Sequence, residues 1–225
     1  MKFKNSFLIL LILVTSSLKN NMLHTESLDL ACEKYRNLKC GYFPSIRRQD
    51  LPDEFSDLAF KTIDEFIKKT YNLSYECLIY FDYITGEIIR CAMGKLDGVD
   101  LTFDINEFEG YNVASLHNHP EGIFSPPSGK NFGILGRAFE DYELITSRDG
   151  FWIFKAKRLD LDLMQELNFV SDALFYHSLQ KCSNRYHDEE ILDKMIDIRY
   201  GNQLLKYIND KNLSNIQLTK KEYVK

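Results

Sequence analysis

Tyr111-Asn112-Val113-Ala114-Ser115-Leu116-His117-Asn118-His119-Pro120 is the stretch on which the fold turns. Its first six residues have the aromatic, β-branched and apolar content of a strand, and they run without a break into two histidines separated by one residue. Side chains in a strand alternate between its faces, so His117 and His119 point the same way, close enough for two imidazoles to share one ion. Pro120 has no N–H to give to a ladder; it ends the strand and leaves both rings at its mouth.

The pattern on either side completes a sheet. Upstream, Tyr75 to Phe81 is a short aromatic-rich apolar run suited to a strand, Asp82 to Gly86 turns the chain, and Glu87 to Met93 returns as its hairpin partner. Pro52-Asp53-Glu54 predicts the opening of a helix, with Phe55, Leu58, Ala59, Ile63, Phe66 and Ile67 on one face at helical spacing. Downstream, a Gly/Pro/Ser-rich loop from Glu121 to Lys130 leads to a helix predicted over Asn131 to Tyr142. Glu143 to Thr146 and Phe151 to Lys157 then flank Ser147-Arg148-Asp149-Gly150 as a second hairpin, Asp-Gly being a strong turn signal. Trp152 falls in that aromatic strand and is expected in the core.

From Leu159 the alternation stops, and helices are predicted near Leu161 to Gln180 and Asp188 to Asn209. Asp188-Glu189-Glu190 form the acidic first turn of the second. Leu161, Leu163, Leu167, Phe169, Leu174 and Phe175 are expected to pack on the sheet or on the neighbouring helix. The whole reads as an α+β protein: an irregular or leader segment over 1–49, a mixed sheet flanked by helices over 50–158, and a helical extension over 159–225.

Composition limits what such a domain can carry. Among 225 residues, 44% are hydrophobic, 13% aromatic and 27% charged, proportions of a soluble globular chain with a core large enough to stand without staples. The five Cys, at 32, 40, 77, 91 and 182, include no C-x-x-C pair, which excludes zinc ribbons, C2H2 fingers, thioredoxin-type pairs and Cys-ligated iron–sulfur clusters. They read as reduced core thiols, and any metal site must use His and oxygen ligands. A net charge of −5 and the lack of a basic run interleaved with aromatics argue against nucleic acid as a partner.

Lys2 and Lys4, the apolar run Phe7 to Val14, and Thr15-Ser16-Ser17 imitate the zones of a secretory signal, while the run is too short for a transmembrane helix, which needs about 20 apolar residues. On export, Asn72-Leu73-Ser74 and Asn212-Leu213-Ser214 match the glycosylation pattern. Met22 is an alternative start, and the reading favours a cytoplasmic protein with residues 1–17 as the exported alternative.

Glu76 begins the first predicted strand, where pairing in a sheet can bring it beside the two His. Two His and a carboxylate can hold an ion, and a nearby Glu can serve as proton acceptor for a water attacking a carbonyl. Two other signals carry no chemistry. Gly122 to Lys130 has the wrong glycine spacing for a phosphate loop and no Ser/Thr after Lys130. His177, Cys182 and His187 recur at intervals of five, which does not stack them on one helix face.

The order Glu76, hairpin, His117-Asn118-His119-Pro120 and the loop Ser125-Pro126-Pro127-Ser128 resembles the JAB/MPN (JAMM) metallopeptidases, whose signature is an upstream Glu, then H-x-H-P, then S-x-x-D. H-N-H-P itself is similar to the RadC-type prokaryotic branch. The resemblance covers about residues 50 to 157 and implies a cytidine deaminase-like mixed sheet, with His117 and His119 as zinc ligands and Glu76 as general acid/base. It also implies that Ser128, or Ser125 in the shorter register, steadies the tetrahedral intermediate. The position of the ligand Asp holds Asn131 in the first register and Ser128 in the second, and no acid lies between Glu121 and Glu140. Asn131 offers only a neutral amide oxygen, and Glu121 directly follows Pro120.

The function so implied is zinc-dependent hydrolysis of a peptide, isopeptide or related amide bond in a peptide or protein substrate. The alternatives are a catalytically inactive domain of the same kind acting as a protein-binding scaffold and, more remotely, a RadC-like role in nucleic-acid metabolism.

Overall fold

Cys77-Leu78-Ile79-Tyr80-Phe81 is apolar at every position, the pattern of a strand covered on both faces. In the computed structural model it forms β1 (Cys77–Asp82), buried along its length. The structure describes residues 30–40, 45–94, 104–120, 139–148, 150–156, 161–211 and 216–224. The leader, Asn212, the loop 121–130 with Ser125 and Ser128, and Asn131 lie outside the described residues.

β1 sits between β2 (Ile88–Met93) and β3 (Val113–Asn118), antiparallel to both. β4 (Tyr142–Ser147) runs parallel to β3, β5 (Gly150–Ala156) returns antiparallel, and β6 (Ile216–Lys221) pairs antiparallel with β5. The result is a six-stranded mixed sheet in the order β2-β1-β3-β4-β5-β6. Among the described residues, four α-helices flank it: α1 over residues 30–37, α2 (Asp57–Thr70), α3 (Leu161–Ser183) and α4 (Glu189–Lys211).

Strand alternation gives each face its own core. On one, α2 lays Ala59, Ile63, Phe66 and Ile67 over Ile79, Phe81, Ala114, Leu116 and Leu144. On the other, Leu167 of α3 and Tyr200, Leu204 and Ile208 of α4 cover Ile145, Trp152, Phe154, Ile216 and Leu218. Trp152 is 1% exposed there, with the Lys220 ammonium 5.0 Å from its ring centre. A third cluster, Leu78, Tyr80, Phe108 and Val113, lies on this second face over β1 and β3, with Phe139 stacked on Phe108. His117 stands in register between Leu78 and Ile145, at the seam of these two clusters.

Several elements depart from the reading of the sequence. α2 starts at Asp57, because Phe55 N–H closes a turn on the Pro52 carbonyl and Ser56 Oγ then caps the helix by accepting from Ala59 N–H at 3.0 Å. Leu58, expected on the buried face, is 55% exposed. The end of the helix predicted over Asn131 to Tyr142 is not helical: residues 139–141 bend, and Tyr142 already belongs to β4, where pairing with Ala114 outweighs local propensity. The helical stretch from 159 stops at Lys211, and residues 216–221 return to the sheet as β6. Its one apolar face, Ile216 and Leu218, packs with α4 residues. In α3, Leu167 is buried and Phe175, 39% exposed, sets its ring edge-on to Tyr200 of α4 at 6.0 Å, whereas Phe169 is 75% exposed. All five cysteines are free, but Cys40 is exposed and so is no core thiol. Burial pushes the Cys77 thiol up to about 12, which keeps it protonated and inert.

A carboxylate ties the segment before α2 to the sheet. Glu54 Oε1 accepts from the Tyr142 hydroxyl and from Lys155 Nζ at 3.1 Å, and chiefly the Tyr142 bond holds its pKa down, to about 2 from 4.5. A depressed carboxyl contributes stability that is complete above the unfolded value and is lost as pH falls toward the folded one. Because the Glu54 side chain is 41% exposed, the contribution is below about 1 kcal/mol. Glu54→Gln is therefore expected to flatten the decline of urea stability between about pH 4.5 and 2 by that amount. Parallel curves for the two proteins would contradict it.

Candidate metal centre

β3 carries the site. Its burial is continuous because Ala114 and Leu116 face the α2 core while Val113, Ser115 and His117 face the other side. Beyond the strand the ladder continues for one more bond, His119 N–H to the Thr146 carbonyl at 2.8 Å, so His119 keeps the alternation and joins the His117 face. The two Nε2 atoms stand 3.3 Å apart, and the ring centres 5.2 Å. His117 is 7% exposed, His119 is half-buried, and Pro120 closes the strand as a buried residue.

Glu76 reaches the pair through β1. Leu78 is the partner of His117 in the antiparallel register, and two residues back along β1 Glu76 meets the end of β3 on the same face. Its backbone is held from both sides. The Glu76 carbonyl accepts from Gly94 N–H at 2.8 Å, extending the pairing with β2.

On the β3 side the middle residue of H-N-H does the holding. Asn118 Oδ1 accepts from Cys77 N–H at 2.7 Å, and Asn118 Nδ2 donates to the Tyr75 carbonyl at 3.0 Å. The amide thereby brackets Glu76 by binding the residue on each side of it. Asn118 is 1% exposed, and the Cys77 bond forms away from competing water, while the Tyr75 bond is partly buried.

With these constraints Glu76, His117 and His119 each present one ligand atom, all within 4.8 Å of one another. The donor set suits a metal ion. Two nitrogens each about 2.0 to 2.1 Å from a tetrahedral ion are about 3.3 to 3.4 Å apart, the spacing seen between the two Nε2 atoms. A fourth polar group stands behind: Glu143 Oε1 of β4 is 3.7 Å from His117 Nδ1, with both side chains under a tenth exposed.

The structure brings together Glu76, His117 and His119; Ser125, Ser128, Asn131 and Glu121 lie outside the described residues. Asn118 and Glu143 had no role in the sequence reading. Glu143 left a signal, a lone acid in the otherwise apolar or neutral strand Tyr142-Glu143-Leu144-Ile145-Thr146. Asn118 left none, because its partners are backbone groups of a strand more than forty residues away. His177 and His187 are exposed on and after α3, apart from the site.

Fold and site together define an α+β protein whose mixed sheet presents a His/Glu/His group that could hold a metal ion. Compared with known protein families, curated proteins and solved structures, the chain matches none. Among the described residues, no helix is long and apolar enough to cross a membrane.

Proposed function

We propose that this chain is a zinc-dependent hydrolase of the JAB/MPN type, acting on a peptide, isopeptide or related amide bond of a peptide or protein substrate. The observation that carries the reading is the convergence of Glu76, His117 and His119 within 4.8 Å on one sheet face, with the two Nε2 atoms 3.3 Å apart. His117 and His119 would hold the ion, and by the resemblance Asn131 stands at the sequence position of the third ligand in the register that places Ser128 in S-x-x-D.

A bound divalent ion supplies Lewis acidity toward a carbonyl oxygen and a water molecule. The chain's own groups do the rest. Glu76, half-buried at the edge of the pair, accepts the proton of the attacking water at a carboxylate oxygen and delivers it to the departing nitrogen. The Asn118 clamp keeps that carboxylate on the His face. Burial of His117 beside Leu78 and Ile145 limits water on its side of the pair and strengthens local electrostatics. Asn131 in the place of an Asp favours a second reading, a catalytically inactive scaffold of the same kind, because one formal charge is missing from the ligand set.

Metal content separates the two. Full-length protein purified without chelator is expected to carry about one zinc per chain. His119→Ala should lose it, and Glu76→Gln should keep it while losing hydrolysis of fluorogenic peptide amides. Sub-stoichiometric zinc that does not change in His119→Ala would overturn the metal reading. Full zinc with no hydrolysis by the unmodified protein would leave the scaffold.

A further inference from the structure

Glu143 is a carboxylate in the middle of a buried strand, 6% exposed, with Ser115 beside it on β3 and Phe154 beside it on β5. Burying a charge there is costly unless a polar group faces it, and His117 does so through Nδ1 at 3.7 Å. The opposite nitrogen of the same ring, Nε2, is the one turned toward His119. The two ring nitrogens therefore look into different surroundings, one toward a carboxylate and the other toward the candidate ion site.

A neutral imidazole carries its proton on one nitrogen, and its partners decide which. With the proton on Nδ1, the N–H points at Glu143 and the Nε2 lone pair is free toward His119 and Glu76. With the proton on Nε2, a lone pair would face a buried carboxylate, which is repulsive in a low-dielectric setting. The 3.7 Å contact is about 0.8 Å longer than a usual N–H···O bond, so the two groups face each other electrostatically rather than through a formed hydrogen bond.

We infer that Glu143 is a positioning residue: it selects the Nδ1–H tautomer of His117 and so presents Nε2 as the ligand atom of the site. The ligand role of Nε2 rests on the metal reading above, whereas selection of the tautomer does not. Carboxylates behind metal-bound His act in this way, fixing the ring and raising its basicity, and their removal typically costs about 10- to 100-fold in metal affinity.

The test uses the metal-free full chain with labelled histidine, at a pH where the rings are neutral. Long-range proton–nitrogen spectra report which nitrogen of His117 is protonated, and zinc titration of the same samples gives the affinity. The unmodified protein should show the Nδ1–H form.

Glu143→Ala should give mixed tautomers and bind zinc about 10- to 100-fold more weakly. Glu143→Gln keeps the shape and guards against misfolding of the alanine variant. Its amide can donate to Nδ1 or accept from it, so the selection should be lost there too. Glu143→Asp, which restores the charge, should recover the Nδ1–H form in part.

An Nε2–H ring in the unmodified protein, or an unchanged tautomer in both Glu143→Ala and Glu143→Gln, would overturn the inference. Altered tautomers in a protein that binds no zinc would uphold the positioning role and remove the metal reading alone.

Discussion

Asn118→Leu is expected to destabilise the protein by about 2 to 4 kcal/mol and to abolish the organised Glu76–His117–His119 group. Leucine has nearly the shape of asparagine, so the loss comes from hydrogen bonding rather than from a cavity. Removing the amide strands the Cys77 N–H, on a residue with no exposure at all, and the Tyr75 carbonyl. A buried group left without a partner costs about 1 to 3 kcal/mol, and the Tyr75 carbonyl, whose bond is only partly buried, costs less.

The damage should also reach the site, because Glu76 lies between the two anchored residues and loses its tether to β3 while keeping the Gly94 bond to β2. Urea unfolding and the hydrolysis of fluorogenic peptide amides by the folded variant measure the two effects separately. A stability loss below about 1 kcal/mol would show that water replaces the amide and that the clamp is dispensable. A large stability loss with unchanged hydrolysis by the folded variant would show that Glu76 is positioned by β2 alone.

Gly86→Ala carries the second large effect, about 3 to 4 kcal/mol, and its origin is steric. Gly86 closes the turn between β1 and β2 at φ +74°, a conformation that costs an L-residue about 1 to 2 kcal/mol. A Cβ there would also lie 2.7 Å from the Leu58 carbonyl carbon, 2.8 Å from its oxygen and 2.9 Å from Ala59 N. Those are backbone atoms in the first turn of α2, so no side-chain rotation relieves the overlap; helix and turn must part, at a cost of about 1 to 3 kcal/mol more.

The turn resists such movement. Asp82 Oδ1 accepts from Ile84 and Thr85 N–H, its Oδ2 accepts from Asn112 N–H, and Thr62 of α2 donates to the Gly86 carbonyl at 2.7 Å. Gly110 supplies the control. It has φ +86° but nothing within 4 Å of an added Cβ, so Gly110→Ala should cost only the conformational part, about 1 to 2 kcal/mol. Equal losses in the two variants would mean that the close approach of turn and helix contributes nothing.

How much of this was legible in the chain depended on how local each cause is. The apolar run of β1, the turns at Asp82 to Gly86 and around Gly150, and the period of α2 are written in neighbouring residues, and each element formed within a few positions of its expected place. The His117–His119 pair was legible for the same reason, since strand alternation alone puts them on one face. β6 was not: two apolar residues in six make a weak alternation, and its place is decided by β5 and α4. The start of α2 moved because Pro52 closes a turn before Ser56 can cap. The loop with Ser125 and Ser128, and Asn131 after it, lie outside the described residues.

By itself the sequence determined the candidate ligands, two His at one strand end and a Glu at the start of another, and its Cys spacing excluded zinc ribbons, thioredoxin-type pairs and Cys-ligated iron–sulfur clusters. Only the tertiary structure decided that Glu76 comes to the pair, because strand register is a long-range choice made by pairing and burial together. It also decided which groups hold the site in place. Asn118 binds backbone atoms across a strand boundary, and Glu143 stands behind His117 through a parallel pairing with β4. Such contacts join residues far apart in the chain, and no local pattern of side chains encodes them.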